Sequence, residues 1–157
     1  MPVDVESLAQ WTSDWLWCLP LSVITVVLHV VGLLVIKRRS DRVLALVGRP
    51  GFSAILLVFM AGTTVSVTLL HGMEATVWAI AFRLLRALPD QKSAVLYSLN
   101  AMTTFGHSGI ALAPQWQLMG SLEALNGWIL FGLSTAFLYA ILQDVWNKVT
   151  VPVRGRA

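Results

Sequence analysis

Between Ser93 and Leu122 the chain runs 30 residues without a charged side chain. The stretch is nevertheless polar, with Tyr97, Ser98, Asn100, Thr103, Thr104, His107, Ser108 and Gln115, and it contains Gly106, Gly109 and Pro114. That composition does not suit a lipid-facing helix, because bare backbone at membrane depth must be buried in protein or line a cavity. It does suit coordination of a dehydrated cation, which needs its water shell replaced by neutral oxygens. Backbone carbonyls supply them when a strand runs along the ion path with its C=O groups inward. Such a backbone alternates in conformation, and its left-handed positions favour glycine. Thr103, Thr104, Phe105, Gly106, His107, Ser108 and Gly109 are the candidate segment. A threonine hydroxyl adds one more oxygen at its inner end. One chain supplies one strand, so a closed ring of ligands requires several copies.

Other candidates surround this segment, each with two readings. His107 either forms a ring of imidazoles titrating at about pH 6.5 or packs behind the segment. Glu123 either accepts hydrogen bonds behind the segment or meets water at the interface. Intramembrane ionisable groups are seldom idle. Asn126 lies three residues on and shares its face, so Tyr97, Glu123 and Asn126 are the expected support. Gly127 and Gly132 read as gating hinges or as sites of close helix packing. His29 reads as a satisfied packing histidine. His71 and Glu74 lie one turn apart, a spacing that suits a metal, but two ligands do not make a site. A polar contact between helices is the expected role. Cys18 is the one cysteine, so it forms no intrachain disulfide. The carboxylates are scattered, and no glycine-rich loop precedes a phosphate-binding lysine. No enzymatic activity is expected, and no resident metal or cofactor.

These residues need elements to hold them, and the charges mark where those elements lie. The 157 residues are 57% hydrophobic and 12% charged, with a mean hydropathy of +0.74. A soluble domain carries about 25% charge, so a cytosolic enzyme, a nucleic-acid module and a disordered chain are excluded. Uncharged runs of 22 residues (Trp15 to Ile36), 24 (Pro50 to Met73) and 20 (Ala124 to Gln143) each suffice to cross about 30 Å of hydrocarbon as helix. The fourth run reads as a re-entrant segment, a short helix from about Lys92 to Thr103 followed by non-helical chain. The divisions are an extracytoplasmic N-terminus over 1–14, a first transmembrane helix over 15–37 and a cytoplasmic basic loop over 38–50. A second transmembrane helix with an outer extension follows over 51–88, halted by Pro89-Asp90. Then come a short helix and loop over 89–118, a third transmembrane helix over 119–146 and a cytoplasmic tail over 147–157.

Lys37, Arg38, Arg39, Arg42 and Arg49 in the first connection join Lys148, Arg154 and Arg156 in the tail. Only Arg83, Arg86 and Lys92 fall on the other side. The positive-inside rule then places the N-terminus outside and the C-terminus in the cytoplasm of a multi-pass inner-membrane protein. Trp11, Trp15, Trp17, Trp116 and Trp146 fall near the expected interfaces. The N-terminus lacks the positive charge of a signal peptide, so no cleavage is expected.

Tyr97-Ser98-Leu99-Asn100-Ala101-Met102-Thr103-Thr104-Phe105-Gly106 resembles the pore segment of the potassium channel superfamily. There a short pore helix ends in Thr-Thr-x-Gly-Tyr-Gly-Asp before a pore-lining inner helix. Thr103, Thr104 and Gly106 match, and His107 stands at the usual aromatic position. The runs Glu123-Ala124-Leu125-Asn126-Gly127 and Phe131-Gly132-Leu133-Ser134-Thr135-Ala136 resemble the inner helix of small bacterial ion-channel proteins. His71-x-x-Glu74-x-x-x-Trp78 and Ala87-Leu88-Pro89-Asp90 resemble the same group. The resemblance covers roughly Leu70 to Gln143. It implies an all-α membrane protein with three transmembrane helices, a re-entrant pore helix and a filter loop. It further implies a homotetramer in the bilayer passing monovalent cations, K⁺ foremost, with no nucleic acid as partner. Phe105, Ser108 and Gly109 depart from the potassium pattern, where a small β-branched residue, a second glycine and an aspartate stand. The implied filter is therefore divergent. A non-conducting or accessory membrane protein on the same fold is the alternative.

Overall fold

A computed structural model describes residues 5–106 and 109–150, with side chains over 11–106 and 109–148. Four helices follow one another: α1 (Val5–Leu44), α2 (Phe52–Leu84), α3 (Gln91–Met102) and α4 (Gln117–Thr150). A 3-10 turn, Pro114–Trp116, leads into α4. Three of them are long and apolar enough to cross a membrane, within Trp11–Leu44, Phe52–Leu84 and Pro114–Lys148. Their best windows reach mean hydropathies of 2.6, 2.0 and 1.6. At about 1.5 Å per residue, the 12 residues of α3 extend only ~18 Å, short of a bilayer's hydrocarbon. The described residues thus hold three helices fit to span a membrane, with one short helix between the second and the third.

The spans overrun the charge gaps. α1 starts at Val5 and continues to Leu44, so Lys37, Arg38, Arg39 and Arg42 ride on helix instead of in a loop. Charge does not end a helix; a change of backbone does, and the turn comes at Gly48 (φ 86°) and Gly51 (φ 80°). Pro20 lies within α1 and does not end it. Lys37 is held by Asp41 one turn on (3.1 Å) and by Asp144 of α4 (2.6 Å). α2 continues past the apolar gap, as expected, but stops at Leu84, before Pro89. A Schellman motif ends it: Arg86 takes a left-handed φ of 54°, and the Ala87 N–H donates to the Phe82 carbonyl (2.8 Å). The Arg83 guanidinium donates to the Leu88 carbonyl (2.7 Å).

The main core lies where α3 enters the bundle. Trp78 and Phe82 of α2, Ala94 and Tyr97 of α3, Leu112 of the following loop and Met119 of α4 are buried together. Phe82 meets Tyr97 edge-on, ring centroids 5.4 Å apart. Elsewhere Leu33 and Ile36 of α1 and Val67 of α2 pack with Leu133 and Phe137 of α4, and Gly32 lets α1 approach α2 closely. A Cβ on Gly32 would lie 2.7 Å from Leu70 of α2. Three hydrogen-bonded pairs climb α1 and α4 together: Thr25 with Asn126, His29 with Ser134 and Lys37 with Asp144. These two helices therefore run in the same direction. Only 17% of the most apolar window of α2 is buried, and 28% for the other two spans. Most of the apolar surface is left for lipid or for other copies.

Candidate functional site

Asp90 begins α3. Its carboxylate accepts from the Ser93 backbone N–H (2.9 Å) and from the Ser93 hydroxyl (2.7 Å), an N-cap for the orphan donors of the first turn. The Ser93 hydroxyl first, then its backbone N–H, hold this carboxyl below its ordinary range. The helix ends in a second Schellman motif. The Thr104 N–H donates to the Ala101 carbonyl and the Phe105 N–H to the Asn100 carbonyl, both at 3.0 Å. Thr104 is left-handed (φ 55°), Phe105 is not, and Gly106 is left-handed again (φ 89°). A threonine there carries strain of about 1 kcal/mol that glycine would avoid. The Thr103 hydroxyl turns back onto the Leu99 carbonyl (2.7 Å).

From Thr103 to Gly106 the loop is exposed, Phe105 to 84%. His107 and Ser108 lie outside the described residues. Gly109 resumes in the left-handed region (φ 82°). The chain is then tied down by the Ala113 N–H on the Ala87 carbonyl (3.1 Å) and by buried Leu112. A cavity of about 250 Å³ opens beside the loop, lined by Tyr97, Asn100, Thr104 and Gly106 on one side and Ser121 and Ala124 of α4 on the other.

The residues expected to support this segment divide. Glu123 is fully buried, and among the described residues neither carboxylate oxygen has a hydrogen-bond partner. Ser98 of α3 and Cys18 of α1 are its neighbours. Tyr97 is buried against α4, where its hydroxyl occupies the space beside Gly120. Asn126 turns to α1 instead, donating to the Thr25 hydroxyl (2.8 Å). Gly127 brings α4 against the end of α3: an added Cβ would lie 2.4 Å from the Met102 carbonyl oxygen. Gly132 has nothing within 4 Å of its would-be Cβ. α4 runs unbroken through both.

A second polar cluster lies at mid-span between α1, α2 and α4. His29 Nδ1 is 2.8 Å from Glu74 Oε1, and His71 Nδ1 is 3.2 Å from Glu74 Oε2. The Ser134 hydroxyl lies 3.0 Å from His29 Nε2 and 3.1 Å from His71 Nε2. The two imidazole centroids are 5.0 Å apart, and His29 and Glu74 are wholly buried. The His71–Glu74 turn thus makes an interhelical polar contact, with His29 and Ser134 as members that spacing alone did not assign to it. The usable signal was their depth, since a lone histidine in the middle of an apolar span needs a polar partner from another helix. No protein-family model matches this chain, and no curated protein or solved structure matches it either.

Proposed function

We propose that the chain is a cation channel subunit, K⁺ foremost, whose residues 103–109 line the ion path in a homotetramer of the inner membrane. The observation that carries this reading is the end of α3. A helix too short to span is lodged between two spans and stops in an uncharged loop in which left-handed Thr104 and Gly106 flank a Phe105 that is not left-handed. Alternation of that kind brings successive carbonyls to one side of a strand, as coordination of a dehydrated cation requires. The C-terminal end of α3 presents the negative end of its dipole toward the same loop. Thr103, Thr104, Phe105 and Gly106 are all exposed, which fits a path completed by further copies. With the basic connection of residues 37–49 in the cytoplasm, the N-terminus lies outside and α3 enters from the outer face.

Purified protein in liposomes tests this by efflux of K⁺, Rb⁺ and Na⁺, with the oligomer measured by mass. Flux of K⁺ and Rb⁺ from a tetramer is the expected result. An intact tetramer that passes none of the three overturns it. That outcome would select a non-conducting, accessory role, which the bulky and exposed Phe105 favours as the second reading.

A further inference from the structure

Hydrogen counting at the His29–Glu74–His71–Ser134 ring leaves one place unfilled. Four contacts close the ring. Two neutral imidazoles carry one ring N–H each, and the serine carries one O–H. Three hydrogens cannot serve four contacts. The unserved one is at Glu74 Oε2, which is buried, has no hydrogen-bond partner among the described residues and lies 3.2 Å from His71 Nδ1. With His29 Nδ1 donating to Oε1, and Ser134 receiving from one Nε2 and donating to the other, lone pairs of His71 Nδ1 and Glu74 Oε2 face each other. An uncompensated buried carboxylate oxygen is costly in a low-dielectric interior. A cation between them, whether a further proton or a metal ion, removes the conflict, and the donor set decides for the metal.

We infer that this ring is a binding site for a divalent first-row transition metal ion of the Zn²⁺ class, with His29, His71 and Glu74 as its ligands. One donor atom from each lies within 4.8 Å of the others, and two imidazoles with a carboxylate are a donor set suited to such ions. Coordination through both Nδ1 atoms leaves a hydrogen on each Nε2. Both then donate to the two lone pairs of the Ser134 oxygen, at the separations already present. Ser134 thus orients both imidazoles, as the partners behind metal-bound histidines do. The ion would bolt α1 to α2 and α4, and none of its ligands belongs to the Thr103–Gly109 segment, so the assignment does not rest on conduction.

Equilibrium dialysis of the purified full-length chain against Zn²⁺, with Co²⁺ as the visible-absorbing probe, tests the site. The expected result is one ion per chain, with intense Co²⁺ bands that Zn²⁺ bleaches. H71Q and E74Q should each weaken binding at least 100-fold, and S134A about 10-fold or more. Each variant is compared by its metal-free helical content, and H71Q, at the partly exposed corner, is the substitution that disturbs packing least. Zn²⁺ should raise the unfolding temperature of the wild type and leave that of H71Q unmoved. Absence of Co²⁺ bands in folded wild type at millimolar ion, meaning a ring that holds only a proton, would overturn the assignment. So would binding unchanged in folded H71Q and E74Q.

Discussion

Thr104 separates what the local backbone wants from what the proposed activity needs. Its left-handed φ of 55° would suit glycine, yet a hydroxyl stands there beside the cavity. T104G relieves strain of about 1 kcal/mol and adds a similar entropy to the unfolded chain. Calorimetry or chemical denaturation should therefore find its stability within ~1 kcal/mol of wild type. Cation flux should fall sharply, because the hydroxyl oxygen is gone. Equal loss of stability and flux would instead make Thr104 a structural residue. At this scale the sequence was informative where a residue type is locally diagnostic. The order Thr103-Thr104-x-Gly106 predicted a loop with glycine at a left-handed position, and Gly106 takes it; that Thr104 is left-handed as well was not legible. It was uninformative where partners come from far along the chain. His29 lies 45 residues from Glu74 and Ser134 lies 63 from His71, so no local spacing joins them. Asn126 shares a face with Glu123, but its amide satisfies Thr25 across the bundle.

Among the elements, α3 has to be held in place at both ends, and each end makes a prediction. At its start the Asp90 carboxyl sits below its unfolded value through its bonds from Ser93. A depressed folded value means the contribution is present at pH above about 4 and is lost as pH falls through the folded value. Amide exchange, corrected for its intrinsic pH dependence, should show residues 91–94 losing protection in acid, and D90N should flatten that dependence. At its end, Gly127 lets α4 touch the Met102 backbone. G127A drives a Cβ into main chain that cannot rotate away, and overpacking of this kind costs about 1–3 kcal/mol. G132A meets open space and should be neutral or up to ~1 kcal/mol more stable. Unfolding of both variants checks the contrast; equal effects would argue against close packing at Gly127. Apolar runs and the polar gap made three spans and a short helix legible, and α3 begins and ends within a residue of the expected Lys92–Thr103. The ends of the long helices were not legible. α2 stops at a left-handed Arg86 where a glycine would have announced it, and α1 carries its basic residues on helix because nothing before Gly48 breaks it.

For the molecule as a whole, the proposed topology has three spans in one membrane, with the Lys37–Arg49 end in the cytoplasm and the start of α3 outside. Cys18 is 1% exposed, so the native thiol gives little background to labelling. A V47C chain should react with an impermeant maleimide only after cells are opened, and a K92C chain should react in intact cells. The reverse pattern would invert the topology. Composition alone made the membrane legible, because 12% charge cannot cover a soluble globule. An assembly is less legible, because lipid and a neighbouring copy ask for the same apolar surface. The exposed faces of α2 and α4 serve either. Single-channel recording from purified protein in planar bilayers decides whether the molecule conducts. The account predicts discrete cation-selective openings in K⁺ that G106A abolishes while leaving the tetramer intact. A silent bilayer containing intact wild-type tetramers, or openings indifferent to G106A, would contradict it.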